Sequence, residues 1–130
     1  MTKHVAIFVP EIAELLLNGI KTIESRFSKS KIAPFGVISS GDIVYIKPSG
    51  KDIIGQFRVK KVITFDGLNS KDIKALKEQF GQQIAVLDRF WKEKESSKFA
   101  TLIFVSEVTR FLTSPIRFHK RDQRGWVVLG

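Results

Sequence analysis

Gly19-Ile20-Lys21-Thr22-Ile23-Glu24-Ser25-Arg26 follows a short apolar helix pattern and leads into a run that alternates like a strand. If residues 22–27 are extended, Thr22, Glu24 and Arg26 share one face, and Ile23, Ser25 and Phe27 share the other. Lys21 stands at the corner between helix and strand. An ammonium, a carboxylate and a guanidinium are thereby brought to one end of a sheet. Such a cluster either ties structure together or recognises something polar.

Upstream, Val5-Ala6-Ile7-Phe8-Val9 is wholly apolar and reads as a buried strand. Pro10 suits a first helical position, and Glu11 and Glu14 suit the positive end of the helix dipole. The spacing predicts a helix over 11–18 with Ile12, Leu15 and Leu16 inward and Asn18-Gly19 as its stop. Downstream, residues 28–36 read as a basic loop, followed by a strand over 43–47 and a turn at Pro48-Ser49-Gly50. Residues 53–65 resume as a strand, with a bend or bulge expected where Gly55 and Lys60-Lys61 break the alternation. Ile73, Leu76 and Phe80 predict a helix over 71–80 with Lys71, Lys74 and Lys77 outward. Gly81 is expected to interrupt it, and Ile84, Leu87 and Trp91 to belong to a second helix. The longest strand pattern covers 99–112, apolar on both faces as a central strand requires. Residues 126–129 close the chain as a strand.

The chain has 130 residues, enough for one domain with a proper core, and we expect a single domain over 1–130. Hydrophobic residues make up 43%, which excludes disorder. The net charge of +9 and the pI of about 10.0 point to a polyanionic partner. The absence of cysteine excludes disulfides, thiol catalysis and thiolate metal sites. His4 and His119 show no metal-ligand spacing, so neither metal nor cofactor is expected. No apolar run approaches a membrane span, and the N-terminus does not resemble a signal peptide. Those features lead us to expect a cytoplasmic protein, monomeric by default.

The count of about five or six strands with two or three helices predicts an α+β domain. A small mixed or mainly antiparallel β-barrel with helices over its openings satisfies it, and an open sandwich is the alternative.

With its G-x-K-x-x-E-x-R spacing, the stretch 19–26 resembles the signature of the ASCH domain family. The likeness extends over the strand-helix-signature opening, the Gly41-Asp42 strand, the central helical insertion and the final Gly125-Trp126 strand. It implies a PUA-like pseudo-barrel, a cleft lined by the signature residues, and interaction with RNA or a nucleotide. One branch of the family hydrolyses the amide of N4-acetylcytidine, and others are ribonucleases. Lys21 matches the catalytic lysine of the amidohydrolase branch, but Glu24 stands where that branch has a threonine nucleophile. Thr22 is not the matching position, and Glu78 is only a loose match for its glutamate.

The leading expectation is an RNA-binding module in which Lys21, Glu24 and Arg26 line a cleft for a base, nucleotide or strand end. Lys21 and Glu24 are the catalytic candidates of the alternative, a metal-independent hydrolase of RNA or a modified nucleoside. Arg26 suits bidentate recognition of phosphate or carboxylate. Lys29, Lys31, Arg58, Lys60 and Lys61 are candidates for a surface that tracks phosphates. Lys120, Arg121 and Arg124 beside Trp126 resemble basic residues interleaved with a stacking ring, although core packing suits Trp126 better. An exposed ion pair is the structural explanation that competes for Glu24 and Arg26, worth about 0–1 kcal/mol. A protein-interaction domain is the third possibility, resting on the Lys71, Lys74, Lys77 face and residues 92–98.

Overall fold

A computed structural model describes residues 1–114, 117–118 and 124–130. Six strands form one mixed sheet: β1 (Lys3–Phe8), β2 (Ile23–Ser28), β3 (Ile43–Pro48), β4 (Gly55–Asp66), β5 (Phe99–Arg110) and β6 (Trp126–Val128). Three helices accompany them: α1 (Pro10–Leu17), α2 (Ser70–Ile84) and α3 (Asp88–Lys94). The strand order is β2-β5-β4-β3-β1-β6, antiparallel throughout except for the parallel β1–β3 pair. The sheet curls into a half-barrel whose edges are β2 and β6, in agreement with the α+β barrel expected from the sequence.

Two register shifts in the β4–β5 ladder, between Gln56 and Arg58 and between Val59 and Lys61, lie where the broken alternation predicted bulges. An extra residue on one strand raises the local twist and bends the sheet. Gly55 is the tightest point. A Cβ there would stand 2.6 Å from the Thr109 carbonyl oxygen and 2.7 Å from a methyl of Leu17. Gly55→Ala is therefore expected to cost about 1–3 kcal/mol by overpacking, measurable by urea denaturation.

The sheet buries apolar residues on both faces. Ala13 and Leu16 of α1 pack on Ala6, Phe8, Val44, Ile46, Phe57 and Ile103. Ile73, Leu76 and Ile84 of α2 and Trp91 of α3 pack with Ile23, Phe27, Ala100 and Leu102. Neighbouring residues of β5 thus serve different cores, as a strand apolar on both sides must.

The helical insertion differs from its expected outline. α2 runs through Gly81 to Ile84 and ends at Ala85, whose φ is 55°. A helix-interior glycine costs only about 1 kcal/mol, and Ile84 is fully buried, so packing carries the helix past it. The second helix begins at Asp88 rather than near Ile84, and β5 ends at Arg110 rather than 112. Among the described residues no helix is long and apolar enough to cross a membrane.

Candidate functional site

The chain leaves α1 through Gly19, at φ +81°, a left-handed conformation that glycine adopts without steric cost. Two residues later Lys21 turns inward and is 1% exposed. Its Nζ donates to the Ile84 carbonyl at 2.5 Å, and stands 3.3 Å from Glu24 Oε1. Ile84 is the last residue of α2, so the ammonium meets an orphan carbonyl at the negative end of a helix dipole. The Thr22 amide donates to Gln83 at the same helix end. α2 is in this way docked onto the signature.

Glu24 is 5% exposed and both its carboxylate oxygens are engaged. Oε1 accepts the Ser25 amide at 3.0 Å, and Oε2 accepts Arg26 Nε at 3.0 Å with Nη2 at 2.9 Å. Burial pushes the Glu24 carboxyl up, but the charges of Lys21 and Arg26 and their hydrogen bonds outweigh it and hold the group below its ordinary range. Arg26 also donates from Nη1 to the Gly125 carbonyl at 3.1 Å and from Nη2 to the Ile7 carbonyl at 3.0 Å. Its guanidinium lies 5.1 Å from the ring centres of both Phe8 and Trp126. It therefore links edge strand β2 to β1 and to the residue preceding β6, across the open side of the half-barrel. Four of its five N–H groups are committed to these partners.

Trp126 is held from behind. Its Nε1–H donates to His4 Nδ1 at 3.0 Å, and His4 Nε2 lies 2.9 Å from Asp42 Oδ2. An indole N–H only donates, so Nδ1 accepts and the imidazole proton sits on Nε2, facing Asp42. Asp42 also accepts the Thr2 and Ser39 amides. Its carboxyl is pushed up by burial, yet held below the usual range by these hydrogen bonds, that of His4 first.

Over this network lies a pocket of about 640 Å³. Lys21, Glu24, Ser25, Arg26 and Thr101 form its polar floor; Phe8, Phe27, Phe35, Leu87, Phe90 and Trp126 supply apolar walls. The loop residues 32–35 close one side, and Arg89, Glu93 and Lys94 of α3 stand at another.

The other predicted residues are distributed differently. Lys29 is exposed on the loop that leads to the 32–35 wall. Lys31, two residues on, pairs loosely with Asp66 at 3.6 Å and lies over the Phe99 ring. Arg58 lies outside the pocket lining, donating to the Gly41 carbonyl and pairing with Glu107 at 3.0 Å. Lys60 is exposed on β4, and Lys61 covers the Phe104 ring. Arg124 is exposed beside Gly125 and has an interaction of its own. Lys120 and Arg121 lie outside the described residues. Thr22 and Glu78 are exposed and do not line the pocket. Among the described residues no group of three or more His, Asp or Glu is placed to hold a metal ion.

Sequence reasoning missed the pocket's second half: Phe8, Phe27, Phe90, the 32–35 wall and Ser25. A polar residue between Ile23 and Phe27 on an otherwise apolar strand face was the available signal for Ser25.

The sequence profile of the ASCH domain matches residues 7–118. The chain belongs to the ASCH domain family. This ASCH domain is similar in fold to the crystal structure of a point mutant of the Zymomonas mobilis ASCH protein, with TM-score 0.75 and 16% identity, over 98% of this chain and 88% of that one. The ASCH crystal structure from the same organism without a substitution gives TM-score 0.65 and 18% identity, covering 83% and 69%. No curated protein sequence matches the chain.

Proposed function

We propose that this ASCH domain binds RNA, seating a base or strand end in the pocket above Lys21, Glu24 and Arg26 while basic residues at the rim hold the backbone. The observation that carries the reading is the pocket itself: about 640 Å³ with aromatic walls over a hydrogen-bonded ionic floor, in a chain of net charge +9. A desolvated ionic triad is a costly way to stabilise a fold, and it lies under a cleft large enough for a nucleotide. Lys29 and Lys31 precede the 32–35 wall, and Arg89 and Lys94 of α3 also line the pocket, so a strand entering it would meet cations from two elements.

Fluorescence anisotropy with a single-stranded RNA tests this across a salt series. Affinity is expected to fall steeply with salt, because each phosphate contact releases counterions. Lys29→Ala with Lys31→Ala should reduce the slope of log affinity against log salt by about one to two. Absence of binding at low salt, or affinity indifferent to salt, would sink the reading.

A further inference from the structure

Among the described residues, Ser25 Oγ is the one buried side-chain polar atom without a hydrogen-bond partner. Ser25 is 5% exposed and lines the pocket floor. Buried hydroxyls normally find a partner, and this one turns about a single torsion beside an open cleft. Its neighbours have little left to offer. Glu24 accepts from Ser25, Lys21 and Arg26, and Arg26 has one N–H uncommitted. Lys21 uses two of its three N–H groups, on Ile84 and Glu24, leaving one donor in a residue that lines the same floor.

The remaining handles are therefore a hydroxyl, one ammonium N–H and one guanidinium N–H. Single N–H groups beside a hydroxyl and the Glu24 carboxylate suit a compact neutral acceptor better than an anion. A phosphate would meet the Glu24 carboxylate while finding the Arg26 fork already occupied, and the surrounding rings favour a flat apolar body. Resting on the reading that the pocket seats a base, we propose that it selects bases bearing a ring carbonyl, with Ser25 Oγ and Lys21 Nζ donating to that oxygen. Uracil, cytosine and guanine carry one; adenine does not. Ser25 is then a specificity-determining residue, and phosphates stay at the rim.

The test titrates the intact protein and Ser25→Ala with uridine, cytidine, guanosine and adenosine, followed by amide NMR shifts, and with ten-nucleotide oligo-U and oligo-A RNA by anisotropy. Oligo-U is expected to bind at least about five-fold tighter than oligo-A, and Ser25→Ala to weaken oligo-U by about 5–10-fold, as loss of one hydrogen bond does. Oligo-A affinity and the salt slope should stay unchanged, and the melting temperature should hold or rise because an unpaired buried hydroxyl is removed. A Ser25→Ala variant that melts lower, or binds oligo-U like the native chain, overturns the assignment while leaving RNA binding intact. Nucleoside binding that depends on Ser25 without oligonucleotide binding keeps the assignment and overturns the RNA reading. Silence toward both nucleosides and oligonucleotides overturns both.

Discussion

Glu24→Gln is expected to destabilise the protein by about 3–5 kcal/mol, the range for breaking a buried ion pair by removing one partner. At this chain length that is a melting-temperature loss of roughly 10–20 °C. The glutamine keeps the shape of the carboxylate and one acceptor oxygen. Its amide nitrogen, however, must face Lys21 or Arg26, a donor against a donor. Lys21 is the severe problem, because at 1% exposure its ammonium would be left with the Ile84 carbonyl and no counter-charge against it. Arg26, at 23% side-chain exposure, keeps the Ile7 and Gly125 carbonyls and is less affected. Adding Lys21→Met removes the stranded charge, so the double variant should be more stable than the sum of the single losses by about 1–3 kcal/mol. Urea denaturation of the four proteins measures this coupling. A Glu24→Gln loss below about 1 kcal/mol would show that the triad is solvated and inexpensive.

The same carboxylate fixes a pH dependence. Its folded pKa is lowered, so the unfolded chain binds the proton more readily. The stabilisation is fully present above the ordinary carboxylate range and is lost as pH falls through the lower folded value. Asp42 contributes with the same sign. Acid unfolding should therefore steepen below about pH 4, and Glu24→Gln should flatten part of it while Asp42→Asn flattens another.

The signature was legible because its chemistry is local. Lys21, Glu24 and Arg26 fall within six residues, and the alternation of a strand puts the last two on one face. Their burial was not legible, since it depends on α2 ending over Lys21 and on β1 and β6 arriving beside Arg26. Those are contacts across 63 and 99 residues. The sheet order was hidden for the same reason: nothing near Val5–Phe8 announces that β1 pairs in parallel with β3. Arg58 illustrates the limit on surface cations. As a sequence position it resembles Lys60, yet its partner Glu107 lies on a neighbouring strand at φ 47°, which no local pattern reveals. Trp126 was read as core first and as a stacking ring second, and it is both core and pocket wall: one edge bonds His4 and its ring receives Arg26.

Purified protein is expected to hydrolyse N4-acetylcytidine no faster than buffer, despite Lys21 matching the lysine of the amidohydrolase branch. Amide hydrolysis by that route needs a hydroxyl that loses its proton to a positioned base, an assistance worth about 10²–10⁴ in rate. By the resemblance to that branch Glu24 stands where the nucleophile would be, and both its oxygens are bonded to Ser25, Lys21 and Arg26. Those bonds hold its carboxyl below the ordinary range, so near neutral pH it is a weak base toward water as well as a poor nucleophile toward an amide. Ser25 does bring a hydroxyl to the floor, but no base stands within hydrogen-bond distance of it among the described residues. Thr22 and Glu78 face solvent outside the lining. Release of acetate from N4-acetylcytidine, followed for the native chain, Lys21→Met and Glu24→Thr, distinguishes the cases. Each assay should run below the melting temperature, because both substitutions strand a partner of the triad. Rapid native turnover lost in Lys21→Met would overturn the expectation, and would mean that Lys21 and Glu24 activate a water together. Background rates in the native chain with acetate release appearing in a folded Glu24→Thr would identify residue 24 as the position where the two kinds of ASCH domain divide.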